Sequence, residues 1–388
     1  MKIAQIAPLF ESVPPRLYGG TERVVSYLTE ELVKQGHHVT LFASADATTA
    51  AELVPCTPCA LRLDDATRDP TPRLVLMLEK VRERADDFDV LHFHIDYLHF
   101  PLFRSRSARI LTTLHSRLDL PDHREFYLRF PEMRLVSVSN AQRRPLRRAN
   151  FAATVYHGLP LDLHRPTFDA RGGYLAFLGR LSPEKRPDRA IAIARAVGMP
   201  LRIAAKAEKV NEGCYFREVI APLLQEPGVE FIGEIDEGTK TEFLGHAAAL
   251  LFPIDWPEPF GLVMIEAMAC GTPVLAFACG SVPEIIEDGR TGRIASTMDE
   301  AVHAVPQVLA LDRKVIRRRF EERFSSIRMT KDYLRLYRAV MRKSARRDIA
   351  PALVAGSAAA AAHVGTGSSH DLIKDTVSVG HELCTDQV

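Results

Sequence analysis

Residues 249–277 read Ala-Leu-Leu-Phe-Pro-Ile-Asp-Trp-Pro-Glu-Pro-Phe-Gly-Leu-Val-Met-Ile-Glu-Ala-Met-Ala-Cys-Gly-Thr-Pro-Val-Leu-Ala-Phe. A short apolar run, Ala249–Pro253, has the length and content of a buried strand. A proline-rich loop follows, a helix is expected over Leu262–Ala269, and a second strand over Pro273–Phe277. Strand, helix and strand in so short a span predict a parallel βαβ unit with helices covering both faces of the sheet. The pattern continues upstream, with strands expected at Tyr174–Leu178, Leu201–Ala205 and Val229–Ile232 and a helix at Pro187–Val197. The N-terminal half repeats it: strands at Ile3–Pro8, Val39–Ala43, Val90–His94, Ile110–His115, Leu135–Ser139 and Thr154–His157. Its clearest helix is Thr21–Gln35, where Val24, Val25, Leu28, Leu32 and Val33 share one face and Gly36 stops the run. Gly158–Gly173, with Pro160 and Pro166 and no periodicity, reads as the linker between two domains. The expected class is therefore α/β: two Rossmann-like domains with a ligand cleft between their strand C-termini. After Ile294 the chain reads as mostly helical, and its many Arg and Lys as a solvated helix face.

Composition narrows the function. Fifty Lys and Arg stand against 49 Asp and Glu, a net charge of +1, which argues against a nucleic-acid partner. No apolar run approaches the roughly 20 residues of a membrane span. Met1–Phe10 lacks the long apolar region of a signal peptide and reads as a first strand. Six cysteines in 388 residues are no disulfide framework, so a reducing cytoplasm is the expected location. Cys56 and Cys59 form one CxxC between Pro55 and Pro58 with no second pair, which speaks against zinc or redox chemistry. No GxGxxG after a strand, P-loop, GxSxG elbow or HExxH is present. Asp87-Phe88-Asp89 reads as a turn into a strand rather than a metal-binding DxD. His92 and His94 share a strand face near His99; lacking a convincing fourth zinc ligand, they are expected to line the cleft.

The chemistry concentrates at the strand ends of the second half. A helix opening at Gly261 presents free N–H groups and a positive dipole end, an anion site. Glu258 precedes that helix and Glu266 lies in its second turn. Two carboxylates beside an anion are repulsive unless they grip hydroxyl groups. Arg180 and Lys185, after the strand ending at Gly179, can neutralise a diphosphate. A ligand with phosphates and many hydroxyls, a nucleotide sugar, fits both demands.

These segments resemble the family 4 retaining glycosyltransferases of the GT-B architecture, from Met1 to about Tyr337. The most specific motif is the Glu258/Glu266 pair within Pro-Phe-Gly-Leu and Ala-Met-Ala-Cys-Gly-Thr-Pro-Val, followed by Gly-Arg-Leu-Ser-Pro-Glu-Lys at 179–185. Gly19-Gly20-Thr21-Glu22-Arg23 is similar to the family's N-terminal glycine loop and Thr113-Leu114-His115 to its histidine motif. Val138-Ser139-Asn140 and His157-Gly158 are weaker matches. Two positions depart: Arg186 follows the lysine where the family has Gly, and Ala205 precedes Lys206 where Gly is common.

The resemblance implies a GT-B arrangement: an acceptor-side domain over 1–165, a donor domain over 166–325, a helix over 326–345 packing back on the first domain, and a low-complexity tail over 346–388. It implies that Arg180 and Lys185 bind the donor diphosphate and stabilise the leaving nucleotide, with no metal and no cofactor beyond the donor. Glu266 would grip the ribose. Glu258, with the backbone of Phe260, Gly261 and Leu262, would hold the sugar hydroxyls. Gly19 and Gly20 would close over the phosphates, Lys206 would join the donor site, and His115 would lie near the reacting sugar. The implied reaction moves a sugar from a UDP- or GDP-type donor to an acceptor hydroxyl with retention of configuration. The alternatives are a nucleotide-sugar epimerase or hydrolase on the same fold, and a non-catalytic sugar-binding protein. The acceptor is not readable: the loops Asp46–Thr71 and Leu118–Glu132 match no acceptor motif. Arg143, Arg144, Arg147 and Arg148 fit a solvated face or a peripheral contact with anionic lipid.

Overall fold

Two all-parallel sheets carry the chain in the computed structural model, which describes residues 1–17, 19–169, 172–206 and 213–342. The first has seven strands: β1 (Lys2–Ile6), β2 (His38–Ser44), β3 (Glu52–Thr57), β4 (Val90–Phe93), β5 (Ile110–Leu114), β6 (Leu135–Ser137) and β7 (Phe151–Thr154), in the order β3-β2-β1-β4-β5-β6-β7. The second has six: β8 (Leu175–Arg180), β9 (Leu201–Lys206), β10 (Val229–Gly233), β11 (Ala249–Phe252), β12 (Val274–Phe277) and β13 (Gly292–Ala295), in the order β10-β9-β8-β11-β12-β13. In both, the order reverses beside the first strand of the sheet, the switch point where α/β proteins bind ligands. Both sheets belong to one compact unit.

Helices α1 (Gly20–Lys34), α2 (Thr71–Glu83) and α3 (Pro121–Arg129) flank the first sheet. Helices α4 (Pro187–Ala196), α5 (Glu237–His246), α6 (Leu262–Ala269), α7 (Met298–Leu309) and α8 (Arg313–Arg323) follow in the second half. A last helix, α9, covers residues 326–342. Residues 343–345 of the expected C-terminal helix and the tail 346–388 lie outside the described residues.

Two strands escaped the sequence reading. β3 holds Glu52 and Pro55 and forms an edge, where a missing N–H is tolerated. β13, Gly-Arg-Ile-Ala, is equally an edge, and beyond it the described chain is mostly helical, as expected after Ile294. The Cys56 thiol is buried in β3, and burial pushes it up to about 11, an inert structural thiol. Asp87 pairs with Arg84 and Asp89 accepts from the Lys2 N–H at 2.8 Å, so the two carboxylates have separate structural partners.

The halves are tied together by the last helix and by one glutamate. Tyr333 Oη lies 2.9 Å from Thr113 Oγ1 of β5, and Tyr337 Oη lies 2.8 Å from His92 Nδ1 of β4. Arg328 donates to the carbonyls of Tyr156 and His157, both at 2.8 Å. Glu284, from the second half, accepts from the backbone N–H of Asn140 (2.8 Å) and Ala141 (2.6 Å) and from Tyr156 Oη (2.9 Å). An apolar core runs continuously from Ile3, Val24 and Leu28 through Met264 and Ile265 to Phe324 and Tyr333.

These contacts correct the reading of the histidine pair. His92 is fully buried under α9, and His94 is 2% exposed behind His115; neither lines the cleft. The covering residue Tyr337 lies 245 positions downstream of His92, so strand alternation could not reveal it. His99 stacks on Phe93 at 3.7 Å between ring centroids and hydrogen-bonds Thr112 Oγ1 at 2.9 Å.

Candidate active site

A cavity of about 510 Å³ opens between the carboxyl ends of the two sheets. Its C-terminal-half wall carries Arg180, Lys185, Glu258, Phe260, Gly261 and Leu262; its N-terminal-half wall carries Gly19, Gly20 and His115. A smaller cavity of about 160 Å³ adjoins it, lined by Glu266, Lys206, Glu234 and Ile235, and shares Gly19, Gly20, Gly179 and Leu262 with the first. Every site residue expected from the sequence therefore lines one of two neighbouring cavities, with Glu266 and Lys206 in the smaller.

The backbone explains the placement. Arg180 is the last residue of β8, and Lys185 sits one turn later, its N–H bonded to the Ser182 carbonyl. The Lys185 ammonium is ion-paired with Glu258, which also accepts from Trp256 Nε1 at 2.7 Å, and it stands 4.8 Å from the Trp256 ring centroid. Arg180 pairs with Glu184. Both cations can therefore exchange a carboxylate for an incoming anion. Gly280 (φ +55°) lets the loop behind Glu258 pass this closely: a Cβ there would stand 2.4 Å from both Glu258 N and O. Gly19 is equally constrained, at φ +145° with Pro15 Cβ 2.7 Å from the site of a Cβ. Across the gap, a Cβ on Gly20 would meet Leu262 Cδ1 at 3.5 Å, so the first turns of α1 and α6 face each other.

The departure at Arg186 acquires a physical reason. It caps α4 at φ 54°, ψ 52°, the left-handed region that favours glycine. In compensation its guanidinium bonds Asp188 (2.8 Å) and Asp255 (3.0 Å). Replacement by Ala removes these bonds and keeps the strain; replacement by Gly removes both. Arg186→Gly is therefore expected to be more stable than Arg186→Ala by about 1 kcal/mol, read from urea midpoints.

Four site residues were missed by the sequence reading: Trp256, Lys240, Arg23 and Glu22. Lys240 Nζ lies 2.9 Å from Glu266 Oε1 and 3.3 Å from Glu237 Oε2. Burial is the largest influence on the Glu266 carboxyl and would raise it, but Lys240, His164 and Arg23 together outweigh it and hold Glu266 below the usual carboxylate range. Arg23 of α1 reaches across to an ion pair with Glu237 of α5, linking the two halves over the smaller cavity. His164, Glu237 and Glu266 place three potential metal-ligating atoms within 4.8 Å, but the positive charge these carboxylates need is supplied by Lys240 and Arg23. Nothing in the sequence links positions 23, 237, 240 and 266; only the cleft does.

Glu22 is the third residue of α1 and is 6% exposed, on the cavity wall, with no ion pair to any described residue. Burial, aided by the charge of Glu11, pushes it up to about 7 despite its own N–H, Arg62 and Arg23. A raised carboxylic pKa binds a proton more tightly in the folded state, so it costs stability as pH climbs from about 4.5 to about 7. Glu22→Gln is therefore expected to be more stable than the wild type at pH 8 by up to about 3 kcal/mol, the gap shrinking towards pH 5. Urea unfolding at the two pH values checks the sign.

Residues 18–163 match the family described as "Glycosyltransferase Family 4", and residues 164–323 match "Glycosyl transferases group 1". The chain belongs to the family 4 glycosyltransferases. Among curated relatives of this family 4 chain, "D-inositol 3-phosphate glycosyltransferase" of Mycobacterium leprae (strain Br4923) is 33% identical over 181 residues, 42% of this chain and 40% of the relative. The protein of that name from Mycobacterium bovis (strain BCG / Pasteur 1173P2) is 33% identical over 157 residues, 37% of this chain and 32% of its own. The chain thus spans 40% or less of the length of these relatives. Among solved structures, sucrose-phosphate synthase from Thermosynechococcus elongatus superposes with a TM-score of 0.71 at 21% identity, covering 87% of this chain and 98% of that one. Anabaena HepE in complex with UDP and glucose superposes with a TM-score of 0.67 at 17% identity, covering 87% and 100%. These likenesses show the GT-B fold. No helix of the described residues is long and apolar enough to cross a membrane.

Proposed function

We propose that this family member transfers a sugar from a nucleoside-diphosphate sugar of the UDP or GDP type to an acceptor hydroxyl, with retention of anomeric configuration and without a metal ion. The observation that carries the reading is the division of labour between the two cavities. The smaller one has the hydroxyl-gripping carboxylate Glu266 held ionised by Lys240, as a ribose site requires. The larger one brings Arg180 and Lys185 to the opening turn of α6. A diphosphate lying between them draws both cations away from Glu184 and Glu258. Glu258 is then released to accept from the sugar hydroxyls.

As the glycosidic bond to the diphosphate breaks, negative charge grows on the leaving oxygen. Arg180 and Lys185 stabilise it, the role that a metal plays in other transferases. The leaving phosphate is positioned to take the proton of the attacking hydroxyl on the same face of the sugar. Glu258 and Glu266 do not act as a glycosidase pair, since such carboxylates flank one bond to be cleaved by water, whereas each of these faces a lysine. The five described cysteines are free thiols, which supports a reducing compartment.

The test is thermal stabilisation by UDP, GDP, ADP and their sugars without added metal, because a ligand of the folded state raises Tm by mass action. One nucleotide series is expected to stabilise the wild type and much less so Glu266→Ala. Absence of stabilisation by every nucleotide at millimolar concentration overturns the reading. Free sugar or an epimer formed from donor alone replaces transfer by hydrolysis or epimerisation.

A further inference from the structure

A chain of buried polar side chains runs from α9 to the cavity wall. Tyr337 Oη accepts from Gln5 Nε2 at 3.1 Å. Gln5 Oε1 lies 2.8 Å from His94 Nε2, and His94 Nδ1 lies 2.9 Å from His115 Nε2. A branch leads from Tyr337 Oη to His92 Nδ1 (2.8 Å), from His92 Nε2 to Thr113 Oγ1 (2.7 Å), and on to Tyr333 Oη (2.9 Å). Gln5, His92 and Thr113 are fully buried, and His94 is nearly so. Only His115 reaches the cavity, where its ring stacks at 5.3 Å on His157.

The hydrogens in this chain are not independent. Burial holds His92, His94 and His115 far below the ordinary imidazole range, His115 at about 3, so each is neutral and carries one ring proton. An amide oxygen can only accept. Gln5 Oε1 therefore fixes the proton of His94 on Nε2, which leaves His94 Nδ1 bare. A bare His94 Nδ1 requires a donor, so the proton of His115 sits on Nε2. His115 Nδ1, which has no hydrogen-bond partner among the described residues, is then a bare lone pair. Turning the Gln5 amide over reverses every step and leaves His115 Nδ1–H as a buried donor without an acceptor, the costlier orphan. On the far side Gln5 Nε2 donates to Tyr337, Tyr337 donates to His92 Nδ1, and His92 donates to Thr113, so the branch runs in the same sense.

We propose that Gln5 and His94 are positioning residues that hold His115 in its Nε2–H tautomer, with that proton engaged by His94 and the buried Nδ1 left bare, so that His115 has no ring proton to give to the cavity. The tautomer assignment stands on the hydrogen bonds and on the neutrality that burial imposes on the three rings; its consequence for substrate rests on the transferase reading above. The polarity starts at Gln5 of β1 and is braced by Tyr337 of α9, so the last helix contributes to the site without entering the cavity.

The experiment is nitrogen NMR of the full chain with ¹⁵N-labelled histidine, the His115 signals identified by their loss in His115→Asn. The wild type is expected to show His115 protonated on Nε2 and unprotonated on Nδ1. In Gln5→Leu the acceptor for His94 is gone, and His115 is expected to become a mixture of tautomers. Gln5→Glu, whose carboxyl also accepts from His94, is expected to restore the Nε2–H form. UDP affinity is expected to stay within twofold in both variants, since the relay ends at His115 and bonds none of Arg180, Lys185 and Glu266. A wild-type His115 protonated on Nδ1 overturns the proposal without recourse to any variant, as does an unchanged tautomer in folded Gln5→Leu. Failure of any nucleotide to bind the wild type overturns the transferase reading instead, and the NMR result is unaffected by it.

Discussion

Arg180→Ala is expected to lower turnover by about 100- to 1000-fold while leaving the fold intact. The magnitude is that of removing one preorganised charge-stabilising group from a transition state that develops negative charge. The fold survives because Arg180 and its partner Glu184 are each about a quarter exposed (26% and 28%), and such pairs contribute little to stability. Lys185→Ala is expected to lose a comparable share of the rate and some stability as well. Its partner Glu258 is only 12% exposed and would keep Trp256 Nε1 without the cation. Single-turnover kinetics with saturating donor, alongside thermal melts, separate the two effects. Wild-type turnover in both variants would remove the diphosphate role of this strand end. A rate loss matched by global unfolding in Arg180→Ala would assign the residue to structure.

Lys240→Met carries the largest expected effect on stability. Lys240 and Glu266 are 12% and 5% exposed, and breaking such a pair from one side leaves a buried carboxylate without a cation. The expected loss at pH 7 is about 3–5 kcal/mol. The pH dependence separates this from a loss of packing. In the wild type the depressed Glu266 pKa contributes stability above the unfolded carboxyl's pKa, and that contribution is lost as pH falls through the folded value. Without Lys240, burial dominates and raises the carboxyl, so the variant should become less stable as pH rises. Adding Glu266→Gln to Lys240→Met is expected to recover most of the loss and to flatten the pH profile. A Lys240→Met protein with wild-type stability and a wild-type pH profile would show that the pair does not govern Glu266.

The same buried pair marks the boundary between what is legible in a sequence and what is not. Leu262–Ala269 is apolar apart from Glu266 and follows a glycine that ends a proline-rich loop, and the helix occupies those residues as expected. The buried parallel strands were legible for the same local reason: short runs covered on both faces carry no polar alternation. Edge strands β3 and β13 are covered less completely, carry Glu52, Pro55 and Arg293, and lose that signal. Glu258, Arg180 and Lys185 were legible because strand C-termini in an α/β sheet point at the ligand cleft, so position along the chain fixes position in the site.

The partners of those residues depended on tertiary structure. Lys240 meets Glu266, Arg23 meets Glu237, and Tyr337 meets His92 over separations of 26, 214 and 245 residues. No local period encodes such contacts. His92 illustrates the consequence: its strand and its face were set by local sequence, but α9 folding back over that face turned an expected cleft residue into a buried member of a hydrogen-bond relay. The sequence by itself determined two parallel α/β domains and the charged groups at their strand ends, because both follow from short-range patterning. Which carboxylate stays ionised, which glutamate is driven towards neutrality and which histidine nitrogen is bare were decided only when the halves closed together, because burial and neighbouring charge belong to the assembled cleft.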